Sequence, residues 1–522
     1  MSKLWLPLLF LALSSLAIHS VYGQGTTIPK GGAMTVGPVI GTVTTTTARV
    51  LAEFNYSGRI TCILSAQGKP SVSSTKDFQK GVPVVFTFSG LSPGVKYEVK
   101  FNPAISQVAS SFRTLSGKTG ELKFALVSCN EYTTQSSVAS KSDLWADLSK
   151  RIDSLSLDYL IHNGDQVYLD MSFKTKDYSG TAYYKIMDIL NKTPKSQWQS
   201  KTQELLEIIR DVYRKTWTFP TTRSVLARVP NLMMFDDHDL RNSWGYNPND
   251  TNPNTADYFY GTLARRVYYE YQRQLREDIN FNDLSTIKTE YFHVILNGVG
   301  FVFLDYRGVK SWFKNPNETP SQLGSQQRNY LTTLFGSNGD FKSLKTVFLV
   351  SSFPVVLFGD IIAKLGQSYN EDAVEHWSNG RIDEQVWLLN LLRNWKLASS
   401  GRNLMILAGD SHMGGWTDIK YNNAITFKQF TASAMASLQP TANEFLFFSL
   451  YCNANYNIKS GFGYKHYNWT RNFNYGLIAT AISSGTSVID AVHVTVANGQ
   501  APTASVTSSN KLWNPTGTKK VL

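Results

Sequence analysis

Four short apolar runs in this chain are each followed at once by residues that can bind a metal ion. Apolar runs of this length are typical of strands that are buried on both faces. In an open α/β sheet, ligands bind at the carboxyl ends of the strands. The four endings together therefore predict one multinuclear site that combines cysteine, aspartate, tyrosine, histidine and asparagine. The runs with their polar endings span residues 124–130, 157–170, 232–239 and 404–412.

The second ending is the most informative of the four. Gly164 and Asp165 follow the apolar run directly, and Tyr168 comes three residues later. Glycine lets the backbone pass close to a neighbour, and Asn163-Gly164-Asp165 is typical of a turn. A turn or helix start after it would bring the carboxylate and the phenol to one point. Both are oxygen ligands suited to a divalent or trivalent cation.

The chain divides into a β-rich region and a longer α/β region. Residues 1–23 have the pattern of a secretory signal peptide. Short strands without helical periodicity predict a β-sandwich domain over 24–115, and residues 91–97 resemble the turn and tyrosine corner of fibronectin type III domains. After a polar linker at 116–120, strands alternate with helices, which predicts an α/β domain with central mixed β-sheets over 121–505. Residues 506–522 are expected to form a flexible tail.

Hydrophobic periodicity predicts the main elements. Helices are predicted at 137–155, 198–216, 255–276, 325–335 and 384–398. Strands are predicted at 49–54, 59–64, 82–88, 97–101, 111–114, 291–296, 301–305, 346–351, 404–408, 476–481 and 488–496. Long polar inserts follow at 170–180 and 242–257, a length usually associated with function or mobility. The second contains Trp244 and either lines a substrate cleft or forms a glycosylated surface loop.

Charge and targeting signals limit the class of protein. The formal net charge is +12, which either steers anionic substrates or reflects a solvated surface. No lysine and arginine run suggests nucleic-acid binding, and no later stretch has the length of a membrane span. We therefore expect a soluble monomer that is secreted or lumenal in the secretory pathway. Five glycosylation sequons agree with that route, at Asn55, Asn191, Asn249, Asn317 and Asn468.

Three cysteines are too few for a disulfide framework. A disulfide between Cys62 and Cys452 stays open, because nothing in the sequence shows whether the two pair. Cys129 stands at the end of an apolar run beside the other candidate ligands, where a metal would stabilise its thiolate. The alternative is that Cys129 is a small buried hydrophobic residue.

Several motifs together resemble the alkaline phosphatase D (PhoD-like) branch of the metallophosphatases. They occur in the right order over almost the whole mature chain, and a β-sandwich ahead of the catalytic domain is the usual layout of that branch. The motifs are Ser128-Cys129, Gly164-Asp165-Gln166-Val167-Tyr168, Asp236-Asp237-His238-Asp239 with Asn242-Ser243-Trp244, Leu304-Asp305-Tyr306-Arg307, and Gly409-Asp410-Ser411-His412 with Trp416. Residues 377–381 also resemble the Trp-Asp-Gly-Tyr segment of the branch.

The resemblance implies a phosphoesterase with an iron and calcium site, although oxygen-rich sites also accept other divalent metals. The implied metal ligands are Cys129, Asp165, Tyr168, Asp237, Asn242, Asp410 and His412, with Asp165 bridging two cations. The expected catalytic residues are Asp165, His238 as the acid or phosphate-binding residue, and Arg307 as a bidentate phosphate ligand. Asp239 and Ser243 stand where family members commonly have glutamate and asparagine, which bears on the tuning of the site.

We therefore expect a secreted metal-dependent phosphoesterase that hydrolyses monoesters, diesters or both through a metal-bound hydroxide or oxide. One alternative is a purple acid phosphatase-like enzyme, which also pairs a β-sandwich with a Gly-Asp-x-x-Tyr motif but expects Gly-Asn-His and Gly-His-x-His motifs that this chain lacks. The other is a non-catalytic exported binding protein with a degenerate phosphatase domain.

Single residues also have simpler interpretations. His238 is alternatively a core histidine, Tyr168 a packing aromatic, and Arg307 an ion-pair partner of Asp305. Three further histidines, His162, His376 and His466, are expected to be structural.

Overall fold

The structure is a computed structural model that describes residues 28–171, 178–245, 247–308, 321–358, 377, 381–452, 455–497, 499–506 and 512–513. The predicted signal peptide lies outside these residues, as do Asn317, His376 and most of the predicted tail. Within that tail, Trp513 is buried, and the N–H of Leu512 donates to Asp490 Oδ2 at 2.7 Å.

Residues 28–115 form an antiparallel β-sandwich, as predicted. The strands are β1 (Met34–Val43), β2 (Ala48–Phe54), β3 (Gly58–Ser65), β4 (Val72–Phe78), β5 (Val84–Phe88), β6 (Lys96–Asn102) and β7 (Ser111–Arg113). They form two sheets, ordered β1-β2-β5 and β4-β3-β6-β7. Tyr97, Val99 and Phe101 alternate with exposed residues along β6 and fill the core between the sheets. The N–H of Ser92 donates to the Tyr97 hydroxyl at 2.9 Å, which completes the predicted tyrosine corner of a fibronectin type III-like sandwich.

Cys62 lies in this core as a buried free thiol. The side chain of Cys452, its only other candidate partner besides Cys129, is outside the described part of the chain.

The first sheet of the α/β domain carries three of the four apolar runs. Its strands are β8 (Leu122–Val127), β9 (Tyr159–Asn163), β10 (Asn231–Met234), β19 (Phe473–Ser483), β20 (Thr486–Val496) and β21 (Thr503–Ala504). The order is β10-β9-β8-β19-β20-β21. Strands β8, β9 and β10 are parallel, and β19 pairs antiparallel with β8, so the sheet is mixed, as predicted.

The second sheet carries the fourth apolar run on β14. Its strands are β11 (Phe292–Leu296), β12 (Val299–Phe303), β13 (Thr346–Ser351), β14 (Asn403–Ala408), β15 (Gly414–Tyr421), β16 (Ala424–Thr431), β17 (Asn455–Asn457) and β18 (Phe462–Thr470). The order is β11-β12-β13-β14-β16-β15-β18-β17, and neighbours from β12 through β14 to β16 are parallel.

Helices cover the sheets. They are α1 (Tyr132–Gln135), α2 (Leu144–Leu155), α3 (Ala182–Lys192), α4 (Thr202–Trp217), α5 (Pro220–Leu226), α6 (Ala256–Tyr271), α7 (Gly324–Phe335), α8 (Ile382–Leu397) and α9 (Ala442–Cys452). Helix α2 begins seven residues later than predicted because the Asp143 carboxylate caps it, accepting the N–H groups of Trp145 and Ala146. In the described part of the chain, no helix has both the length and the apolar character needed to cross a membrane.

The two sheets of the α/β domain pack face to face through an aromatic core. Phe124 on β8 makes edge-to-face contacts with Phe301 on β12 and Phe348 on β13, with ring centroids 5.2 Å apart in both pairs. At the carboxyl end of β9, Asn163 Nδ2 donates to the carbonyl of Ser351 at 2.7 Å. The carboxyl ends of strands from both sheets are therefore held together at one edge.

Candidate metal centre

Four turns meet at this edge, each directly after a predicted strand. Cys129 follows β8, Asp165 follows β9, Asp237 follows β10, and Asp410 follows β14. The backbone φ angles of Cys129, Asp165 and Asp410 are 55°, 58° and 60°, and that of His412 is 51°. Non-glycine residues adopt this left-handed conformation only when the surrounding structure enforces it, and such residues cluster at functional sites.

Two glycines allow the turns to approach each other. Gly164 has φ +90°, and a Cβ atom there would lie 2.6 Å from Asp236 Cβ. A Cβ atom on Gly409 would lie 2.7 Å from Ser128 Oγ. Any larger residue would push the turns apart, which explains why the sequence places glycine before each of the two aspartates.

One group of candidate ligands combines a thiol, a carboxylate, a phenol and an imidazole. Cys129 Sγ lies 3.6 Å from Asp165 Oδ2, and the Tyr168 hydroxyl donates to the same oxygen at 3.1 Å. Tyr168 also lies 3.1 Å from His412 Nε2. Ligand atoms of Cys129, Asp165 and His412 all fall within 4.8 Å of one another, as a shared metal ion requires.

Two further groups are richer in carboxylates. Ligand atoms of Asp165, Asp237 and His238 lie within 4.8 Å of one another, and so do those of Asp236, Asp237 and Asp410. Asp165 and Asp237 each belong to two groups, so the three groups form one continuous cluster. The sequence patterns did not single out Asp236 as a ligand, although it lies in the recognised motif.

Arg307 lies beside this cluster. Its Nε donates to Asp236 Oδ1 at 2.5 Å, and its Nη2 lies 3.4 Å from Asp237 Oδ1. The alternative ion pair with Asp305 is wrong for the side chain, because Asp305 Oδ1 accepts the backbone N–H groups of Arg307 and Gly308, both at 2.9 Å. Arg307 therefore neutralises carboxylates of the cluster itself.

His238 has a partner that the sequence patterns did not identify. Its Nδ1 lies 2.8 Å from Asp170 Oδ1, and its ring stacks on Tyr168 with centroids 4.3 Å apart. Asp170 Oδ2 accepts the backbone N–H of Asn242 at 2.6 Å, which places this predicted ligand at the same edge. Burial alone would lower the pKa of His238, but the charges of Asp170, Asp237 and Asp165 raise it well above its usual value. The geometry therefore allows His238 to serve as a proton donor that the Asp170 carboxylate orients.

The other protonation states reflect crowded negative charge. Burial and then the nearby Cys129 raise the pKa of Asp165 well above its usual value. Burial and then Asp410 raise the pKa of Cys129 to about 11. Burial and then His238 lower the pKa of His412 to about 4, which keeps that imidazole neutral and able to bind metal.

The donor set fits cations. Asp165 Oδ1 is buried and has no hydrogen-bond partner among the described residues. A buried carboxylate oxygen without a partner is costly, and a bound cation would remove that cost. Thiol and imidazole donors suit transition metals such as zinc, copper or iron, whereas the carboxylate-rich groups suit harder cations such as magnesium, calcium or manganese.

The insert that follows the Asp236–Asp239 cluster does not place Trp244 in an open cleft. Trp244 is 4% exposed, and a Cβ atom on Gly261 would lie 2.1 Å from its ring. Its role is therefore packing, and the two expectations for the insert as a whole stay predictions. Asn249 in the same insert is exposed.

A buried cluster of carboxylates, thiol and imidazole at the carboxyl ends of strands from two mixed sheets defines a candidate metal centre of an α/β protein. The family model described as PhoD-like phosphatase matches residues 124–483. The chain therefore belongs to the PhoD-like phosphatase family, as the motifs predicted. No curated protein matches the chain in sequence.

Among solved structures, that of PhoD is similar over nearly the whole fold. It has a TM-score of 0.60 and 14% sequence identity, and the match covers 93% of this chain and 94% of PhoD. This likeness supports the architecture of a β-sandwich followed by an α/β domain. The sensor domain of the anti-sigma factor RsgI4 of Pseudobacteroides cellulosolvens matches 16% of this chain and 93% of its own, with 17% identity and a TM-score of 0.14, too low for any conclusion.

Proposed function

We propose that this protein is a secreted metal-dependent phosphoesterase that hydrolyses phosphate monoesters, diesters or both. The observation that carries the proposal is the buried carboxylate Asp165, which lies in two candidate ligand groups and has an oxygen without a hydrogen-bond partner in the described part of the chain. Family membership supports a phosphoric ester hydrolase. It favours this function over the purple acid phosphatase alternative, whose final histidine motifs are absent from the sequence.

The proposed ligands divide by chemistry. Cys129, Tyr168 and His412 would hold iron, and Asp237, Asn242 and Asp410 would hold calcium, with Asp165 shared between them. When bound, such cations acidify a coordinated water and neutralise charge on the phosphoryl oxygens.

The remaining residues would act on the ester directly. His238, oriented by Asp170, would hold a proton on Nε2 and donate it to the leaving oxygen. Arg307, already paired with Asp236 and Asp237, would place a cationic fork where a phosphate oxygen binds. The buried surroundings strengthen each of these electrostatic contacts.

The secretory route is part of the proposal. The four described sequon asparagines, Asn55, Asn191, Asn249 and Asn468, are all exposed. A mass decrease after glycosidase treatment of protein recovered from the medium would support export. Recovery of the protein only inside cells with its leader intact would count against it.

Substitution of the shared carboxylate tests the proposed activity. Wild-type protein should hydrolyse an aryl phosphomonoester or diester, and Asp165→Asn should lose both metal and turnover. Asp490→Asn is the matched control, since Asp490 is a buried aspartate on β20, outside the cluster. The ratio of monoester to diester rates in the wild type selects the substrate class. Full turnover by Asp165→Asn would refute the assignment, and a metal-loaded wild type without turnover would favour the binding-protein alternative.

A further inference from the structure

A buried hydrogen-bond network holds the backbone of the Gly164–Asp165 turn. Asp239 Oδ2 accepts the N–H of Asp165 at 3.0 Å and the N–H of Asp236 at 2.9 Å. Its other oxygen accepts from Gln272 Nε2 at 2.9 Å. Asp239 is 0% exposed and Gln272 is 1% exposed, so solvent does not compete for these bonds. Asp239 therefore fixes the backbone of two residues of the candidate metal centre, and Gln272 fixes Asp239.

Gln272 uses both ends of its amide in this network. Its Oε1 accepts from Gln166 Nε2 at 2.8 Å, and Gln166 directly follows Asp165. Its Nε2 also lies 3.0 Å from the Tyr213 hydroxyl. One amide thus links the residue after Asp165 to the carboxylate that holds the N–H of Asp165. This link requires one side chain that donates a hydrogen bond at one end and accepts one at the other, as the amide of glutamine does.

The network continues into the N-terminal sandwich. Gln272 follows Tyr271, the last residue of α6, and the Tyr271 hydroxyl donates to Glu53 on β2. Glu53 is 0% exposed and pairs with Arg214 Nε at 2.6 Å. The Tyr271 ring stacks on Tyr213 with centroids 4.5 Å apart. The position of Gln272 is therefore fixed by a residue of the other domain.

We propose that Gln272 is a positioning residue for the candidate metal centre and that the sandwich holds it in place through Glu53 and Tyr271. The inference rests on the proposed function in taking Asp165 as a metal ligand. Asp165 is held in a left-handed conformation, which is strained for a residue other than glycine and persists only where neighbours enforce it. Without the network, the turn relaxes and its carboxylate leaves the position that the other ligands require. The sandwich is then part of the site's support and not only a neighbouring domain.

Metal retention is the direct test of this role. The full-length protein is dialysed against increasing chelator, and its iron and calcium contents are measured. Gln272→Leu removes the bonds at similar volume and should release metal at about 10–100-fold lower chelator, the usual cost of losing a residue that orients ligands. The control is Gln385→Leu, another buried glutamine, whose Nε2 bonds the carbonyl of Val355 in a different core. Release of metal by Gln272→Leu at the wild-type midpoint would overturn the proposal.

An exchange of donor and acceptor separates positioning from packing and stays informative if Gln272→Leu does not fold. Gln272→Glu places two hydrogen-bond acceptors opposite each other, and Asp239→Asn places two donors opposite each other. Each single variant should therefore weaken metal retention. The double variant restores one donor facing one acceptor at unchanged volume, so metal retention should recover toward the wild type. Thermal unfolding of each variant verifies that it is folded. A double variant that loses metal as the sum of the two single variants would contradict the proposal.

The contribution of the sandwich has its own pair of variants. Tyr271→Phe removes the hydroxyl that reaches Glu53 and should weaken metal retention, but it should add nothing to Gln272→Leu because both act through the same amide. Tyr159→Phe is the control, since the Tyr159 hydroxyl bonds Val43 across the same domain boundary outside the network. Additive losses of metal retention in the double variant would contradict the proposed support of Gln272 by Glu53 through Tyr271.

The outcomes for wild type and variants are distinguishable. A wild-type protein that retains no metal and hydrolyses no phosphoester would defeat the proposed function. A metal-loaded, active wild type whose Gln272 variants behave like Gln385→Leu would defeat only this inference.

Discussion

Replacing Asp170 by asparagine removes the charge beside His238 with little change in shape. The two groups are 2.8 Å apart, with side chains 5% and 7% exposed. Unit charges about 4 Å apart interact by about 4 kcal/mol at an effective dielectric constant of about 20. Asp170 makes the largest charge contribution that raises the pKa of His238, ahead of Asp237 and Asp165, so that pKa should fall in Asp170→Asn. A smaller fraction of His238 would then hold its proton at neutral pH.

The assay compares two leaving groups. A nitrophenolate leaves without a proton, whereas an alkoxide needs one from a general acid. Asp170→Asn should therefore slow an alkyl phosphoester by about 10²- to 10⁴-fold at neutral pH, the usual contribution of acid catalysis, and slow the nitrophenyl ester far less. The remaining alkyl-ester activity should rise toward lower pH as His238 regains its proton.

Asp490→Asn is again the matched control and should leave both rates unchanged. The reasoning is refuted if Asp170→Asn hydrolyses the alkyl ester at the wild-type rate. Equal slowing of both esters would also refute it, because it would mean that Asp170 supports metal binding or folding instead of the acid.

Three further outcomes follow from the structure. Gly164→Ala should lower the melting temperature by an amount equivalent to about 1–3 kcal/mol and reduce metal content, whereas Gly90→Ala, with φ +72° and no atom within 4 Å, should suffer only the backbone strain. Burial lowers the pKa of His493 to about 4, so the unfolded protein binds one more proton than the folded protein between about pH 6.5 and 4. The folded protein therefore loses stability as pH falls through this range. In His493→Gln, the free energy of unfolding, measured by denaturation at a series of pH values, should fall less steeply with pH there, by the slope that one proton contributes. Iron-loaded wild type should show a visible tyrosinate absorption band that Tyr168→Phe abolishes and Tyr183→Phe keeps.

The sequence predicted the elements whose pattern is local. Strand β13 has the predicted bounds, Thr346–Ser351, because a continuous apolar run ends at polar residues on both sides. Strand β1 was not predicted, since Gly37, Pro38 and Gly41 interrupt its pattern. Helix α9 was also missed, because its apolar residues surround the helix and give little amphipathic periodicity.

The candidate site was predictable where chemistry follows a strand directly. Cys129, Asp165, Asp237 and Asp410 each do so, and parallel strands bring such endings together. Asp170 and Gln272 do not follow a strand, and their contacts join residues 68 and 106 positions apart in the chain. No local pattern reports a contact of that range, so these supporting residues emerge only from the three-dimensional structure.

The most direct test of the account is turnover of a paired chromogenic phosphomonoester and phosphodiester by the purified protein, before chelation, after chelation and after iron and calcium are restored. The account predicts hydrolysis of at least one ester, its loss on chelation and its return with metal. Undiminished turnover by protein shown to be free of metal would contradict the central claim.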